Sequence, residues 1–78
     1  MKTLVENIAK YIVENKEAVD VREIEAEKSS IIEVRVAKSD YGKMIGKQGR
    51  TAQSIRNLIY ASSFQFKKRY TLEIIPVE

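Results

Sequence analysis

Two glycines three residues apart, Gly46 and Gly49, enclose Lys47 and Gln48, and the surrounding Met44-Ile45-Gly46-Lys47-Gln48-Gly49-Arg50-Thr51-Ala52 is the stretch best suited to chemistry. Glycine reaches positive φ and lets another backbone come close, because no Cβ stands in the way. A helix opens near Arg50 or Thr51, so unpaired N–H groups and the helix dipole favour an anion at the loop. Lys43, Lys47 and Arg50 add mobile positive charge. The chemistry on offer is therefore grip on a phosphate backbone. An isolated GxxG is more often a tight corner between helices that needs glycine for packing. Here an apolar pair stands directly before the loop, a basic residue directly after it, and an apolar helix face follows.

Other chemistries are closed off by composition. The 78 residues contain no cysteine and no histidine. Disulfides, thiolate metal sites and every Ser-His or Cys-His arrangement are excluded, as is the usual general base near neutral pH. The carboxylates that remain are spread along a strand and a helix rather than gathered, and Ser62-Ser63 has no base beside it. No enzyme, cofactor or metal site is expected. The net charge of +3 is distributed unevenly. Residues 1–37 carry a net −2, residues 38–56 a net +4 and residues 57–78 a net +1. The middle segment holds Lys38, Lys43, Lys47, Arg50 and Arg56 against Asp40 alone. Such a local basic patch is the footprint of a polyanion site, unless it is merely a solvated face.

The elements that must hold the loop can be read from periodicity. Thr3-Leu4-Val5-Glu6 fits a capping box. Leu4, Ile8, Tyr11 and Ile12 then share one helical face, with Val5 at its edge, and this helix is predicted to end near Asn15 or Lys16. Val21 to Glu27 is a weak strand, with Arg22, Ile24 and Ala26 on one side and Val21, Glu23, Glu25 and Glu27 on the other. Ile31 to Ala37 is a stronger one, with Ile32, Val34 and Val36 inward, and Lys28-Ser29-Ser30 makes a hairpin loop between them. Ser39 or Asp40 can cap a short helix from Tyr41, which Gly46 must interrupt. The next helix buries Ala52, Ile55, Leu58, Ile59 and Ser62 and is expected to end near Ser62-Ser63. A last strand runs from about Arg69 to Ile75, with Tyr70, Leu72 and Ile74 inward and Pro76 stopping it. The order is α-β-β-α-α-β. No signal peptide or apolar run of the roughly 20 residues needed to cross a membrane is visible. The chain reads as soluble and cytoplasmic.

These residues resemble the KH domain, whose core is an apolar-Ile-Gly-x-x-Gly loop joining two helices. The order α-β-β-α-α-β is that of its type II form. The stretch from Tyr41-Gly42-Lys43-Met44-Ile45 through Gln53-Ser54-Ile55-Arg56 narrows the resemblance to the small bacterial KhpA family, and Tyr41 stands where a smaller or aliphatic residue is expected. The resemblance implies a single α+β domain over residues 1–78, a three-stranded sheet with three helices on one side. In KH domains the GxxG loop clamps roughly four nucleotides of single strand. Carried onto this chain, Gly46, Lys47, Gln48 and Gly49 would hold the sugar-phosphate, and Lys43 and Arg50 would supply charge. Ile45, Ala52 and Ile55 would line or support the floor beneath the bases. Single-stranded RNA is the implied ligand, with little sequence specificity. Family members are described as RNA chaperones or post-transcriptional regulators linked to cell shape and cell wall synthesis. They pair with a larger KH-containing protein (KhpB, also called Jag). An adaptor that keeps the fold mainly to dimerise is the rival reading.

Other residues invite weighing. Tyr11 and Tyr70 fall on the inward period of their elements and read as core. Tyr60 and Phe64 lie off the apolar stripe at i, i+4 and read as a partner surface, or as residues covered by the 65–69 connection. Lys67-Lys68-Arg69 would either add phosphate contacts or guard a strand edge. Glu23, Glu25 and Glu27 read as a solvated strand face.

Overall fold

The computed structural model describes residues 1–78. Helix α1 is Lys2–Ile12, strand β1 Asp20–Glu25, strand β2 Ser29–Ala37, helix α2 Tyr41–Ile45, helix α3 Arg50–Phe66 and strand β3 Arg69–Val77. Short 3-10 turns at Lys16–Ala18, Lys38–Asp40 and Lys47–Gly49 complete the chain. The sheet order is β1-β2-β3, with β1 and β2 antiparallel and β2 and β3 parallel. The three helices cover one face of this mixed sheet, the α+β arrangement that the sequence implies.

The central strand dictates the core. β2 alternates strictly, and Ile32, Val34 and Val36 are fully buried. Each such side chain contributes about 1.5–3 kcal/mol on removal from water. Register places Val21 opposite Val34, and Leu72 beside Ile32 in the parallel pair. Val5, Ala9 and Val13 close the core from the α1 side, Met44 from α2, and Ile55 and Ile59 from α3. Tyr70 and Ile74 pack against its margin, so the inward face expected of β3 is the one observed.

Several local expectations are corrected. α1 begins at Lys2 with Met1 at its cap and no side-chain capping bond, so Thr3 and Glu6 form no capping box. The helix is rotated by one residue from the predicted stripe. Val5 and Ala9 are buried, Leu4 is exposed, and Tyr11 is 90% exposed rather than core. Small Ala9 lets the helix approach the sheet closely, which Tyr11 could not. α1 stops at Ile12 because Val13 is extended. In β1 the inward residue is Val21, and Ile24 faces solvent. The hairpin turn lies at residues 26–28, where Ala26 N–H donates to the Ser29 carbonyl at 2.8 Å, and Ser29-Ser30 belong to β2.

α3 is also longer than its pattern suggests. It passes through Ser62-Ser63 to Phe66, buries Ser63 and leaves Leu58 exposed. Lys67 ends it in the left-handed region at φ 54°. β3 continues past Pro76, which sits beside Val36. An edge strand tolerates proline because one row of its backbone groups needs no sheet partner. Tyr41 is half-buried and packs against the core.

Candidate nucleic-acid interface

The corner between α2 and α3 is built on left-handed backbone. φ is 77° at Gly46, 56° at Gln48 and 75° at Gly49. α2 closes when Gly46 N–H donates to the Gly42 carbonyl at 2.8 Å. At Gly46 ψ is 172°, a combination open essentially to glycine alone. A Cβ there would stand 2.7 Å from Thr51 Cβ and 2.8 Å from Thr51 N, and would collide with Thr51 Oγ1. Gly49 differs, since a Cβ on it would meet nothing within 4 Å and only its φ of +75° calls for glycine. Gly49 N–H donates to the Gly46 carbonyl at 3.1 Å, and Arg50 N–H to the Lys47 carbonyl. Lys47 and Gln48 open the 3-10 turn, and the first N–H groups of a helical turn have no acceptor within it.

The expected site residues separate into three groups. Lys47, Gln48 and Arg50 are exposed at the corner, where Arg50 Nη2 donates to Gln48 Oε1 at 3.3 Å. Neither Lys47 nor Arg50 makes an ion pair. Ile45, Gly46 and Gly49 are half-buried beside them. Ala52 and Ile55 are buried at 2% and 3% exposure, so they support the corner from beneath and present almost no surface.

Lys43 is the exception among the cations. Its Nζ donates to Glu14 Oε1 at 2.6 Å and lies 3.7 Å from Asp40 Oδ1. The Glu14 bond holds the Lys43 ammonium above the usual lysine range, with the charges of Glu14 and Asp40 acting in the same direction. Asp40 is buried and caps no helix with its side chain. Its carboxylate accepts from Asn15 N–H at 3.0 Å and from Glu14 N–H at 3.2 Å. These bonds, with Asn15 the largest contributor, hold its pKa below the usual carboxylate value. Asp40 therefore ties the start of α2 to the turn after α1. The sequence offers this residue only as a cap candidate, because its partners lie 25 and 26 positions away.

Farther along α3, a cleft of about 260 Å³ opens against β3, lined by Arg56, Ile59, Tyr60, Tyr70, Thr71 and Leu72. Its mixture of a cation, two aromatic rings and an aliphatic floor suits stacked bases. Burial raises the Tyr70 hydroxyl pKa, helped by the charges of Glu23 and Glu25. Sequence reading places Tyr70 inward and Tyr60 outward; pairing α3 with the edge strand brings them to one cleft. Tyr60 and Phe64 are 68% and 67% exposed and meet edge to face at 5.2 Å. The 65–69 connection does not cover them, since Phe66 packs on Tyr70 instead. Of the later basic run, Lys68 lies 4.0 Å from Glu25, beside the hairpin.

A mixed three-stranded sheet, three helices on one face and a GxxG corner between the second and third helices define a type II KH domain. Residues 2–74 match the family model described as "KhpA/KhpB, KH domain", and the chain belongs to that family. It is 53% identical to a Caldanaerobacter subterraneus subsp. tengcongensis protein over 96% of this chain and 100% of that one. It is 48% identical to a Clostridium acetobutylicum protein, again over 96% and 100% of the two chains. An Aquifex aeolicus protein is 47% identical, over 96% of this chain and 95% of its own. Each of the three is named RNA-binding protein KhpA. No solved structure matches the chain.

Proposed function

We propose that this protein binds single-stranded RNA at the Gly46–Gly49 corner, with little sequence preference and no catalytic step. The observation that carries the reading is the loop tip, where the exposed cations Lys47 and Arg50, neither in an ion pair, flank a backbone held at positive φ through Gln48 and Gly49. Backbone donors and point charges read phosphate, which every sequence shares. The α3–β3 cleft would take bases by stacking, which is equally tolerant of sequence. Relatives named as RNA-binding proteins support RNA over single-stranded DNA. A cytoplasmic RNA chaperone or post-transcriptional regulator linked to cell shape and wall synthesis is the cellular role that the family resemblance supports.

The test is to replace Lys47 and Gln48 with aspartate. Both side chains are exposed, so stability should change by under about 0.5 kcal/mol. RNA affinity should fall steeply, because attraction is replaced by repulsion. In wild type, log K should fall by about 0.7 per neutralised phosphate for each tenfold rise in salt, giving a slope near −1.4 for Lys47 and Arg50. A folded double mutant that shifts RNA as wild type does would falsify the site.

A second surface is favoured by the exposed Tyr60–Phe64 pair. We propose that it joins two copies of this chain, or this chain and a larger KH-containing partner of the KhpB/Jag kind. Phe64 does not line the cleft, so Phe64→Asp separates assembly from base binding. Sedimentation should show wild type dimeric and the variant monomeric. A monomeric wild type, in the presence and absence of the partner, counts against this surface.

A further inference from the structure

Lys43 and Gly46 are three residues apart at the end of α2, where Gly46 N–H still bonds back to the helix. Residues at this spacing share a face, about 5–6 Å apart. A lysine side chain spans that gap, so Lys43 is within reach of a phosphate seated on the loop. It is nevertheless engaged elsewhere, at 2.6 Å from the Glu14 carboxylate. We propose that Glu14 is an internal competitor for the RNA phosphate, holding Lys43 in reserve and lowering the affinity of the loop. The proposal rests on the RNA-binding reading above and adds to it a residue that sets the strength of the grip.

Three features fit a competitor better than a structural brace. The Glu14 side chain is 83% exposed, so little desolvation or packing depends on it. Exposed ion pairs are weak and screened, and a strand of phosphates can displace one. The bracing of this corner is already provided by Asp40, whose oxygens accept from the Glu14 and Asn15 backbone N–H groups. Those bonds use the backbone of residue 14, so they survive a change in its side chain. Without the Glu14 carboxylate, Lys43 keeps only Asp40 at 3.7 Å, a carboxylate whose two oxygens are occupied by the backbone.

The test is a cycle of Glu14→Gln, Lys43→Gln and the double variant, measured by RNA titration over a range of salt. Glu14→Gln should tighten binding by about two- to fivefold, the strength of an exposed ion pair. Its salt slope should steepen by about 0.7, one additional phosphate. Lys43→Gln should weaken binding by a larger factor in the Glu14→Gln background than in wild type. The extra 0.7 of slope should disappear in the double variant. Unchanged affinity and slope in Glu14→Gln overturn the proposal. So does a gain that persists when Lys43 is absent, since Glu14 would then act as a general negative charge. Wild type that binds RNA while Glu14→Gln gives no gain sinks only the competition. Wild type that binds no RNA sinks the functional reading and this inference with it. Thermal unfolding of each variant guards against a fold effect, and rescue of the gain by Lys43→Arg in the Glu14→Gln background would show that the charge matters.

Discussion

Two of the exposed loops that carry lysine, the 26–28 turn and the 46–49 corner, are built on different principles. The 26–28 turn joins β1 to β2 with no residue at positive φ. Acids stand on its approach: Glu25 draws Lys68 to 4.0 Å, and Glu27 precedes Lys28. Its one long-range bond uses backbone, with Arg69 N–H donating to the Lys28 carbonyl at 3.1 Å. The 46–49 corner has three residues at positive φ and no acid within it. Lysine content alone does not distinguish them. The two differ in backbone conformation and in the acids around their lysines.

The sharpest way to break this contrast is to remove the backbone freedom. Gly46→Ala adds a Cβ against Thr51 in a region closed to alanine, and should cost about 1–3 kcal/mol together with most RNA binding. Gly49→Ala faces open space and carries only the φ penalty, about 1–2 kcal/mol. Denaturant unfolding of both variants orders them. If Gly49→Ala proves the more damaging, the role assigned to the Gly46–Thr51 contact is wrong.

Acid tests the anchor beneath the corner. Asp40 has a folded-state pKa below its unfolded one, so its stabilisation is fully present above the unfolded value. It is lost as pH falls through the lower, folded value. Stability should therefore decline below about pH 4, the ordinary aspartate range. Asp40→Asn should show a shallower decline there, and denaturant titrations at several acid pH values measure both. Equal slopes in the two proteins would remove Asp40 from the account.

The smallest effect belongs to the hairpin. Lys28→Gln should change stability by under about 0.5 kcal/mol and leave the salt slope of RNA binding near its wild-type value. A slope that falls by about 0.7 would place a phosphate at Lys28 and erase the distinction between the two loops.

Local chemistry was legible in the residues themselves. Ile32, Val34 and Val36 alternate so regularly that the central strand and its buried face follow from pattern alone. The two glycines around Lys47-Gln48 announced a corner with positive φ, because few other residue types adopt that backbone cheaply. The order of elements followed from the same signals, and with the GxxG motif it pointed to the fold. What the sequence could not decide were choices between nearly equal local options. α1 offered two apolar stripes one residue apart, and close packing of Ala9 and Val5 on the sheet selected the one that puts Tyr11 in water. Asp40 was an acceptable helix cap, yet its carboxylate serves Glu14 and Asn15, whose distance along the chain hides the contact. Lys43 looked as free as Lys47 until the fold brought Glu14 beside it. Periodicity and backbone conformation are properties of short segments and are written locally. Ion-pair partners and the choice of a packed face are properties of which segments meet, and only the tertiary structure fixes them.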